Sequence, residues 1–175
     1  ATLVLSGSGE ANSTITVSRT GVGEIGTATA NASGAWSLDY TATTLSSGSH
    51  TFTATATDAA GNVSAASANF SVTIDTTAPQ APSTPDLAAS SDTGSSNTDN
   101  LTSDNSPSFS GTAEANANVE LFRGGTTSLG VVTADSSGNW SLTTSTLADG
   151  TYSITARATD VAGNVSSASD ALSVT

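Results

Sequence analysis

"HTFTATATD" (His50–Asp58) and "TYSITARATD" (Thr151–Asp160) are the stretches that decide the fold. In the first, residues 50, 52, 54 and 56 are aromatic or small and apolar, and the residues that follow each of them are all threonine. Successive side chains of a β-strand point to opposite faces, so this period of two predicts a strand with one face against a core. The second stretch repeats the pattern with Tyr152 and Ile154.

The chain contains an internal repeat. "IGTATANASGAWSL" (Ile25–Leu38) aligns with "LGVVTADSSGNWSL" (Leu129–Leu142) at an offset of 104, which places Trp36 on Trp140. "TDAAGN" (Thr57–Asn62) aligns with "TDVAGN" (Thr159–Asn164) at an offset of 102. One module is therefore present twice. Because Ala1 aligns with Asn105, we expect the first copy to lack its initial strand, as in a piece of a longer array.

Short strands with turns every eight to twelve residues predict an all-β fold of two tandem immunoglobulin-like Greek-key β-sandwiches. We predict one domain over residues 1–75, a Pro-containing linker over 76–80 and a complete domain over 81–175. Both tryptophans are expected in the cores. The strands predicted in the second copy lie at about 81–88, 106–112, 118–123, 129–134, 139–144, 151–159 and 165–175.

Charge and composition argue against several classes of partner and indicate what stabilises the fold. A net charge of −12, from 15 acidic residues against 3 Arg, argues against nucleic acids and anionic membranes as partners. The chain has no Cys, which excludes disulfides, and only 5% aromatic residues, which predicts small cores. Acidic residues that outnumber their cationic partners indicate a bound cation.

Acidic turns are predicted at one end of each sandwich. Successive strands run in opposite directions, so the Glu10/Glu114, Asn31–Gly34/Asp135–Gly138 and Asp58/Asp160 turns should lie together. Asp75, just before the linker, is expected to approach Glu114 and Asp160, and Ca²⁺ would relieve the repulsion among these carboxylates. The alternative is that each Asp caps its own turn through Asx hydrogen bonds.

A second acidic cluster lies in "PDLAASSDTGSSNTDNLTSD" (Pro85–Asp104). Its spacing does not match an EF-hand loop. Two interpretations remain open, a second Ca²⁺ site and a flexible linker-like loop. The candidate ligands here are Asp86, Asp92, Asp99 and Asp104.

The motifs "IDTTAP" (Ile74–Pro79), "SSGNWSLT" (Ser136–Thr143) and "LADGTYSITARATDVAGNVS" (Leu147–Ser166), together with the acidic loop, resemble the immunoglobulin-like repeats of large bacterial adhesins. Those adhesins are of the biofilm-associated and RTX type and are exported by type I secretion. The resemblance covers essentially the whole chain. It implies a monomeric, extracellular extender at the bacterial surface, in which neighbouring repeats of the same chain are the partners and Ca²⁺ stiffens the joints.

The resemblance also implies which residues bind Ca²⁺. The family's ligands correspond to Asp75, Glu114 and Asp160 at the joint, and to Asp92 and Asp99 in the acidic loop. Glu10 and Asp58, the equivalents in the first copy, are expected to form an incomplete site. The RTX nonapeptide is absent from this sequence, so these residues are not themselves a secretion signal.

Two other function classes compete with the extender. Enzymatic activity is not expected, because His50 is the only histidine and Tyr152 replaces it in the second copy. A directly adhesive module, binding a glycan, ice or a cell-surface ligand, is the alternative to the extender. The row of Thr51, Thr53, Thr55 and Thr57 would suit such a face, but ordinary β-propensity also explains threonine on a solvated strand.

Overall fold

The structure, a computed structural model, describes residues 3–175 and divides into two compact units between Thr76 and Thr77. All paired strands are antiparallel. Among residues 3–175 there is no apolar helix of the length that crosses a membrane. The predicted linker over 76–80 stays a prediction.

Unit 1 contains six described strands in two sheets. One sheet pairs β1 with β4, and the other has the order β3-β2-β5-β6. The strands are β1 (Val4–Ser8), β2 (Thr14–Arg19), β3 (Gly23–Thr29), β4 (Ala35–Asp39), β5 (Gly48–Thr57) and β6 (Phe70–Ile74).

Unit 2 contains seven strands, again in two sheets. One has the order β11-β8-β7 and the other the order β10-β9-β12-β13. The strands are β7 (Asp86–Leu87), β8 (Ser108–Thr112), β9 (Asn118–Arg123), β10 (Thr127–Thr133), β11 (Asn139–Thr143), β12 (Tyr152–Thr159) and β13 (Leu172–Val174). Apart from β7, each strand corresponds to one in unit 1. The predicted fold class is confirmed: two immunoglobulin-like sandwiches, the first without a described counterpart of the initial strand.

The two cores are small and follow the predicted alternation. On β12, Ile154, Ala156 and Ala158 are fully buried, whereas on β5 only Phe52 is buried to that degree. Trp140 is buried with 4% of its surface exposed, but its counterpart Trp36 is only half-buried. The core prediction is therefore confirmed more fully for the second copy than for the first.

Two predicted strands are much shorter than expected. The strand placed at 81–88 has ladder pairing only at β7, because Pro82 and Pro85 lack the N–H that a ladder needs. The strand placed at 165–175 has ladder pairing only at β13 and one isolated bridge at Val165.

Between the bridge at Val165 and β13, two serines supply the hydrogen bonds to β12. Ser166 and Ser169 donate their backbone N–H to the carbonyls of Ala158 and Ala156, both at 2.8 Å. Their hydroxyls accept the N–H groups of the same two alanines, both at 2.9 Å. Side-chain oxygens thus stand in for backbone carbonyls, and the edge of β12 remains hydrogen-bonded without a regular strand beside it.

Candidate metal centre

The repeated TD-x-AGN turn closes on its own aspartate. In unit 2, Asp160 Oδ1 accepts the Asn164 backbone N–H at 2.8 Å and Oδ2 accepts the Asn164 side-chain amide at 2.8 Å. These bonds stabilise the ionised carboxylate, and the Asn164 side-chain amide is the main cause that lowers the pKa of Asp160. Asp58 makes the equivalent bonds with Asn62, at 2.8 and 2.7 Å.

The Asx hydrogen bonds considered as the alternative are therefore present in both copies. They explain the Asp and Asn of the motif. The Gly is explained by backbone conformation, since Gly61 and Gly163 have φ of +91° and +92°. Asp58 Oδ1 accepts the N–H groups of both Ala60 and Asn62, whereas Oδ2 of each aspartate accepts the asparagine side-chain amide. Because Oδ2 keeps a second lone pair, a metal role for Asp160 and Asp58 stays a prediction.

The acidic turns of unit 2 share one end, as predicted. Ala113 N–H donates to Gly138 O at 2.8 Å and Asn116 N–H donates to Asp135 O at 3.3 Å, which joins two of the turns. Asp160 follows Thr159, which pairs with Asn118 at the same end of the sheet.

Glu114 belongs to this end of unit 2, is exposed and lines a small cavity of about 410 Å³ beside Gln80 and Ser83. In unit 1, Glu10 and Asp58 likewise line one cavity. Asp75 belongs to unit 1, so its predicted cluster with the carboxylates of unit 2 stays a prediction.

The acidic loop over 89–105 is held by a dense hydrogen-bond network. Ser91 hydroxyl donates to Asp104 Oδ2 at 2.8 Å and accepts the Ser108 N–H at 3.0 Å. Thr102 hydroxyl donates to the Ser91 carbonyl. Thr102 N–H also donates to Thr175 O at 2.9 Å, and Thr175 N–H donates to Asn100 O at 3.0 Å. The loop is therefore attached to the chain just after β13, at the end of unit 2 opposite Asp160.

Asp92 lies at the base of this loop and is 4% exposed. Its Oδ2 accepts the Asn100 N–H at 3.1 Å, whereas its Oδ1 is buried and has no hydrogen-bond partner. A buried carboxylate oxygen without a partner is costly. The three arginines of the chain, Arg19, Arg123 and Arg157, lie on strands and not in this loop. A cation that prefers oxygen ligands would fit at Asp92 Oδ1.

The other predicted ligands of this cluster are more exposed. Asp99 Oδ1 accepts the Leu101 N–H at 3.1 Å, and Asp104 Oδ1 accepts the Ser106 N–H at 2.9 Å. Asp86 is exposed on β7, in register with Ser110. In neither unit, within residues 3–175, do three or more His, Cys, Asp or Glu side chains form a group that could hold a metal ion. Backbone carbonyls, hydroxyls and water would therefore have to supply most ligands of a cation at Asp92.

Sequence reasoning placed Asn100 in this cluster but missed the supporting residues Ser91 and Thr102. Serine, asparagine and threonine are common throughout the chain, and their spacing in the loop matches no known ligand motif. Only the fold shows that Asn100 and Thr102 face the chain after β13.

His50 and its counterpart Tyr152 each contact a backbone carbonyl of the loop that precedes their strand. His50 Nε2 lies 2.9 Å from the Ser46 carbonyl, and the Tyr152 hydroxyl donates to the Ala148 carbonyl at 2.7 Å. Both side chains therefore attach the start of their strand to the loop before it.

The chain matches the family model described as bacterial Ig-like domain twice, over residues 1–76 and 78–175. No curated protein matches it significantly. The solved structures that are similar to it include three at low identity. A biofilm-associated protein (BSP domain) is 21% identical with a TM-score of 0.40, over 98% of this chain and 27% of that one. A Ca²⁺-stabilised adhesin with which an Antarctic bacterium binds ice is 25% identical with a TM-score of 0.48, over 100% and 43%.

The third structure contains the fibronectin(III)-like modules of Clostridium thermocellum CbhA, which are 16% identical with a TM-score of 0.49, over 99% and 84% of the two chains. The chain spans less than half the length of the first two structures. The family assignment comes from the two sequence matches, which coincide with the two folded units. This chain belongs to the bacterial Ig-like domain family and consists of two tandem members of it.

Proposed function

We propose that this chain is a Ca²⁺-stiffened extender of a large bacterial surface adhesin. It would be exported by type I secretion and would hold a distal binding region away from the cell. The presence of two family domains in succession along the sequence supports the proposal, because an extender is built from repeated domains. The charge of −12 supports it as well, since an acidic surface attracts divalent cations.

The observation that carries the proposal is Asp92 Oδ1, a buried carboxylate oxygen without a hydrogen-bond partner. Asp92 would hold Ca²⁺ mainly together with backbone carbonyls, hydroxyls and water at the acidic loop, since Asp92, Asp99 and Asp104 do not form a three-carboxylate group in the described residues. The roles of Asp99 and Asp104 as ligands stay predictions. When bound, Ca²⁺ supplies the positive charge that this loop has no basic side chain to provide. The cation would fix the loop, and through Thr102 and Asn100 it would also fix Thr175 after the last strand.

The stabilisation expected from one Ca²⁺ site is large compared with the free energy of unfolding of a domain. Extracellular Ca²⁺ modules bind at ~10⁻⁴–10⁻³ M. At a hundredfold excess over Kd, one site adds about 2.7 kcal/mol to the free energy of unfolding. A domain with a small core has a total of roughly 5–15 kcal/mol, so a single site is a large share of it.

We also propose the predicted joint of Asp75 with Glu114 and Asp160 as a second Ca²⁺ site, with Glu10 and Asp58 in the corresponding role in the first copy. Neighbouring repeats are the partners in this proposal, and the chain is a monomer without enzymatic activity. The contacts of His50 and Tyr152 favour a structural role for the single histidine.

Small-angle scattering and calorimetry on the full chain, in millimolar Ca²⁺ and in chelator, test this function. We expect Ca²⁺ to increase the maximum dimension of the particle and to raise its melting temperature. Magnesium is the control ion, because it demands a stricter octahedral geometry and retains its water. Identical scattering profiles and melting curves in Ca²⁺ and chelator would contradict the proposal.

Binding assays separate the extender from the directly adhesive alternative. The chain, with Ca²⁺ present, is exposed to ice, to a panel of glycans and to host or bacterial cells. An extender binds none of them. Saturable binding to one of these targets would favour the adhesive function instead.

A further inference from the structure

The acidic loop connects the two sheets of unit 2 at one end. Near its start, the Ser91 hydroxyl accepts the N–H of Ser108 on β8 at 3.0 Å, which attaches this part of the loop to the sheet of β11, β8 and β7. Further along, Thr175 N–H donates to Asn100 O at 3.0 Å and Thr102 N–H donates to Thr175 O at 2.9 Å. Thr175 directly follows β13, so this part of the loop is attached to the other sheet.

The two bonds at Thr175 extend the sheet beyond β13. Thr175 bonds through its N–H to Asn100 and through its carbonyl to Thr102, two residues further along the loop, as residues of parallel strands do. The regular ladder between β13 and β12 covers only three residue pairs. The loop therefore supplies a substantial part of the hydrogen bonding that holds the end of β13.

Asp92 lies between the two attachments of the loop. Its Oδ2 accepts the Asn100 N–H at 3.1 Å, and the Thr102 hydroxyl donates to the carbonyl of the neighbouring Ser91. Ser91 and Asp92 are both 4% exposed. These two residues thus join the part of the loop on one sheet to the part on the other. The chain has no cysteine, so no disulfide joins the sheets as in antibody domains.

The closed loop has an electrostatic cost at Asp92. Its Oδ1 is buried without a hydrogen-bond partner, whereas water would solvate the carboxylate if the loop opened. A cation at Oδ1 removes this cost in the closed loop. It gains much less from the open loop, because the remaining oxygens are then no longer gathered around it. Cation binding and loop closure therefore favour each other, and linkage requires that each strengthens the other by the same factor.

We propose that the acidic loop is a clasp between the two sheets of unit 2, and that a divalent cation at Asp92 closes the clasp and holds the end of β13. The inference rests on the proposed Ca²⁺ site at Asp92 and adds a regulated element to it. In Ca²⁺ the end of β13 is docked against the loop. Without Ca²⁺ the loop and the end of β13 open together, while the remainder of unit 2 stays folded.

Hydrogen exchange of single amides, measured by NMR on the full chain in millimolar Ca²⁺ and in chelator, tests the clasp. If opening releases the cation, a hundredfold excess of Ca²⁺ over Kd reduces the open population about a hundredfold. We expect exchange at Thr175 and Thr102 to slow by up to this factor. The control is Ser166 N–H, which donates to Ala158 O at 2.8 Å along the same edge of β12 and should change much less. Equal slowing at Ser166 and Thr175, or none at Thr175, would overturn the clasp.

Thr175→Pro tests the linkage from the other side. Proline lacks the N–H that bonds to Asn100, and the substitution leaves Asp92 in place. We expect the variant to bind Ca²⁺ about three- to tenfold more weakly, as the loss of one linked hydrogen bond implies. Thr175→Ala is the matched control. It also loses the hydroxyl that lies 3.0 Å from the Thr151 hydroxyl, but it keeps the N–H and should bind Ca²⁺ like the original chain. Titration calorimetry measures these affinities, and equal affinities of the two variants would contradict the linkage.

The same titration separates the clasp from the Ca²⁺ site on which it depends. If Asp92→Asn binds one Ca²⁺ fewer than the original chain, the site exists, and unchanged exchange at Thr175 would then reject the clasp alone. Equal stoichiometry would reject the site and the clasp together. In Asp92→Asn we expect exchange at Thr175 to be independent of Ca²⁺. If it still slowed in Ca²⁺, the effect would not pass through Asp92 and the clasp would be wrong.

Discussion

Two aspartates of unit 2 differ in burial and in the hydrogen-bond partners of their carboxylate oxygens. Asp160 has partners for both carboxylate oxygens from Asn164, and these bonds lower its pKa. Asp92 is more buried, at 4% exposure, and one of its oxygens has no partner. Asp160 is therefore satisfied by its own turn, whereas Asp92 has a coordination position to offer to a cation.

Asp92→Asn should remove the share of the Ca²⁺ effect that the acidic loop contributes, without unfolding unit 2. The amide oxygen can still accept the Asn100 N–H, and the buried charge disappears. In chelator we expect the variant to melt at or above the temperature of the original chain. In millimolar Ca²⁺ it should lack the gain of about 2–3 kcal/mol that one occupied site provides. Calorimetry with and without Ca²⁺ measures both quantities. Asp170→Asn, an exposed residue of unit 2 outside the loop, is the matched control and should keep the full Ca²⁺ gain.

Asp135→Asn should make unit 2 less sensitive to acid. The backbone N–H groups of Asn139 and Ser137 are the main causes that hold the pKa of Asp135 below its ordinary value of 3.8. A lowered pKa contributes stability that is present above the ordinary value and is lost as the pH falls through the folded-state value. The first copy already carries the neutral version, because Asn31 Oδ1 accepts the N–H groups of Ser33 and Ala35.

The measurement for this variant is the melting temperature of unit 2 between neutral pH and pH values below about 4. We expect similar melting at neutral pH and a smaller loss on acidification than in the original chain. An unchanged acid dependence would show that the turn at Asp135 does not contribute to it.

At the scale of elements, two sheet edges of unit 2 are not regular strands. At one edge proline lacks the backbone N–H, and at the other serine hydroxyls take the place of backbone carbonyls. The segment around β7 follows β8, with Ser83 before β7 and Ala88 after it as backbone donors. The stretch before β13 follows β12 through Ser166 and Ser169. Irregular edges of this kind protect a sandwich from pairing with other molecules.

Gly138→Ala and Gly163→Ala should differ in cost although both glycines have a positive φ. At Gly138, with φ of +84°, an added Cβ would lie 2.4 Å from the Ala113 carbonyl oxygen. At Gly163, with φ of +92°, nothing lies within 4 Å. We expect Gly163→Ala to cost about 1–2 kcal/mol for the left-handed conformation alone. Gly138→Ala should cost clearly more, about 3 kcal/mol or above, because backbone must move. Urea unfolding of unit 2, followed by Trp140 fluorescence, measures the difference, and equal costs would contradict the packing of these two turns.

At the scale of the whole molecule, one module occurs twice with unequal burial. The core of unit 2 includes Leu87 from its leading segment, and that of unit 1 has no described counterpart. Residues of the same type, such as Ala156 and Ala54, therefore differ in exposure. Burial of apolar surface is the main favourable term in folding, so the two units should differ in stability.

We accordingly expect two unfolding transitions, with unit 1 melting first. Each unit has a single tryptophan, so Trp140→Phe leaves a reporter in unit 1 and Trp36→Phe leaves one in unit 2. Thermal melts of the two variants by fluorescence, in chelator, assign the transitions. The order would be wrong if the Trp36 signal melted together with or after the Trp140 signal.

The sequence alone determined the fold class, the duplication and the positions of the turns. These features depend on local pattern: the period of two in His50–Asp58, the offset that joins Trp36 to Trp140, and the Asp and Gly residues of the TD-x-AGN turn. Strand ends were less predictable, because Pro82 and Ser166 change hydrogen bonding with a neighbouring strand that the local pattern does not describe.

Only the tertiary structure decided which carboxylate oxygen is left without a partner and which of the two tryptophans is fully buried. The sequence proposed nine acidic ligands with little to rank them, since an aspartate in a turn looks the same whether its oxygens are satisfied or not. Burial of Asp92 and its contact with Asn100 depend on how the loop returns to the end of β13. The different burial of Trp36 and Trp140 likewise appears only in the folded units, because exposure is set by neighbours distant in sequence and not by the residue itself.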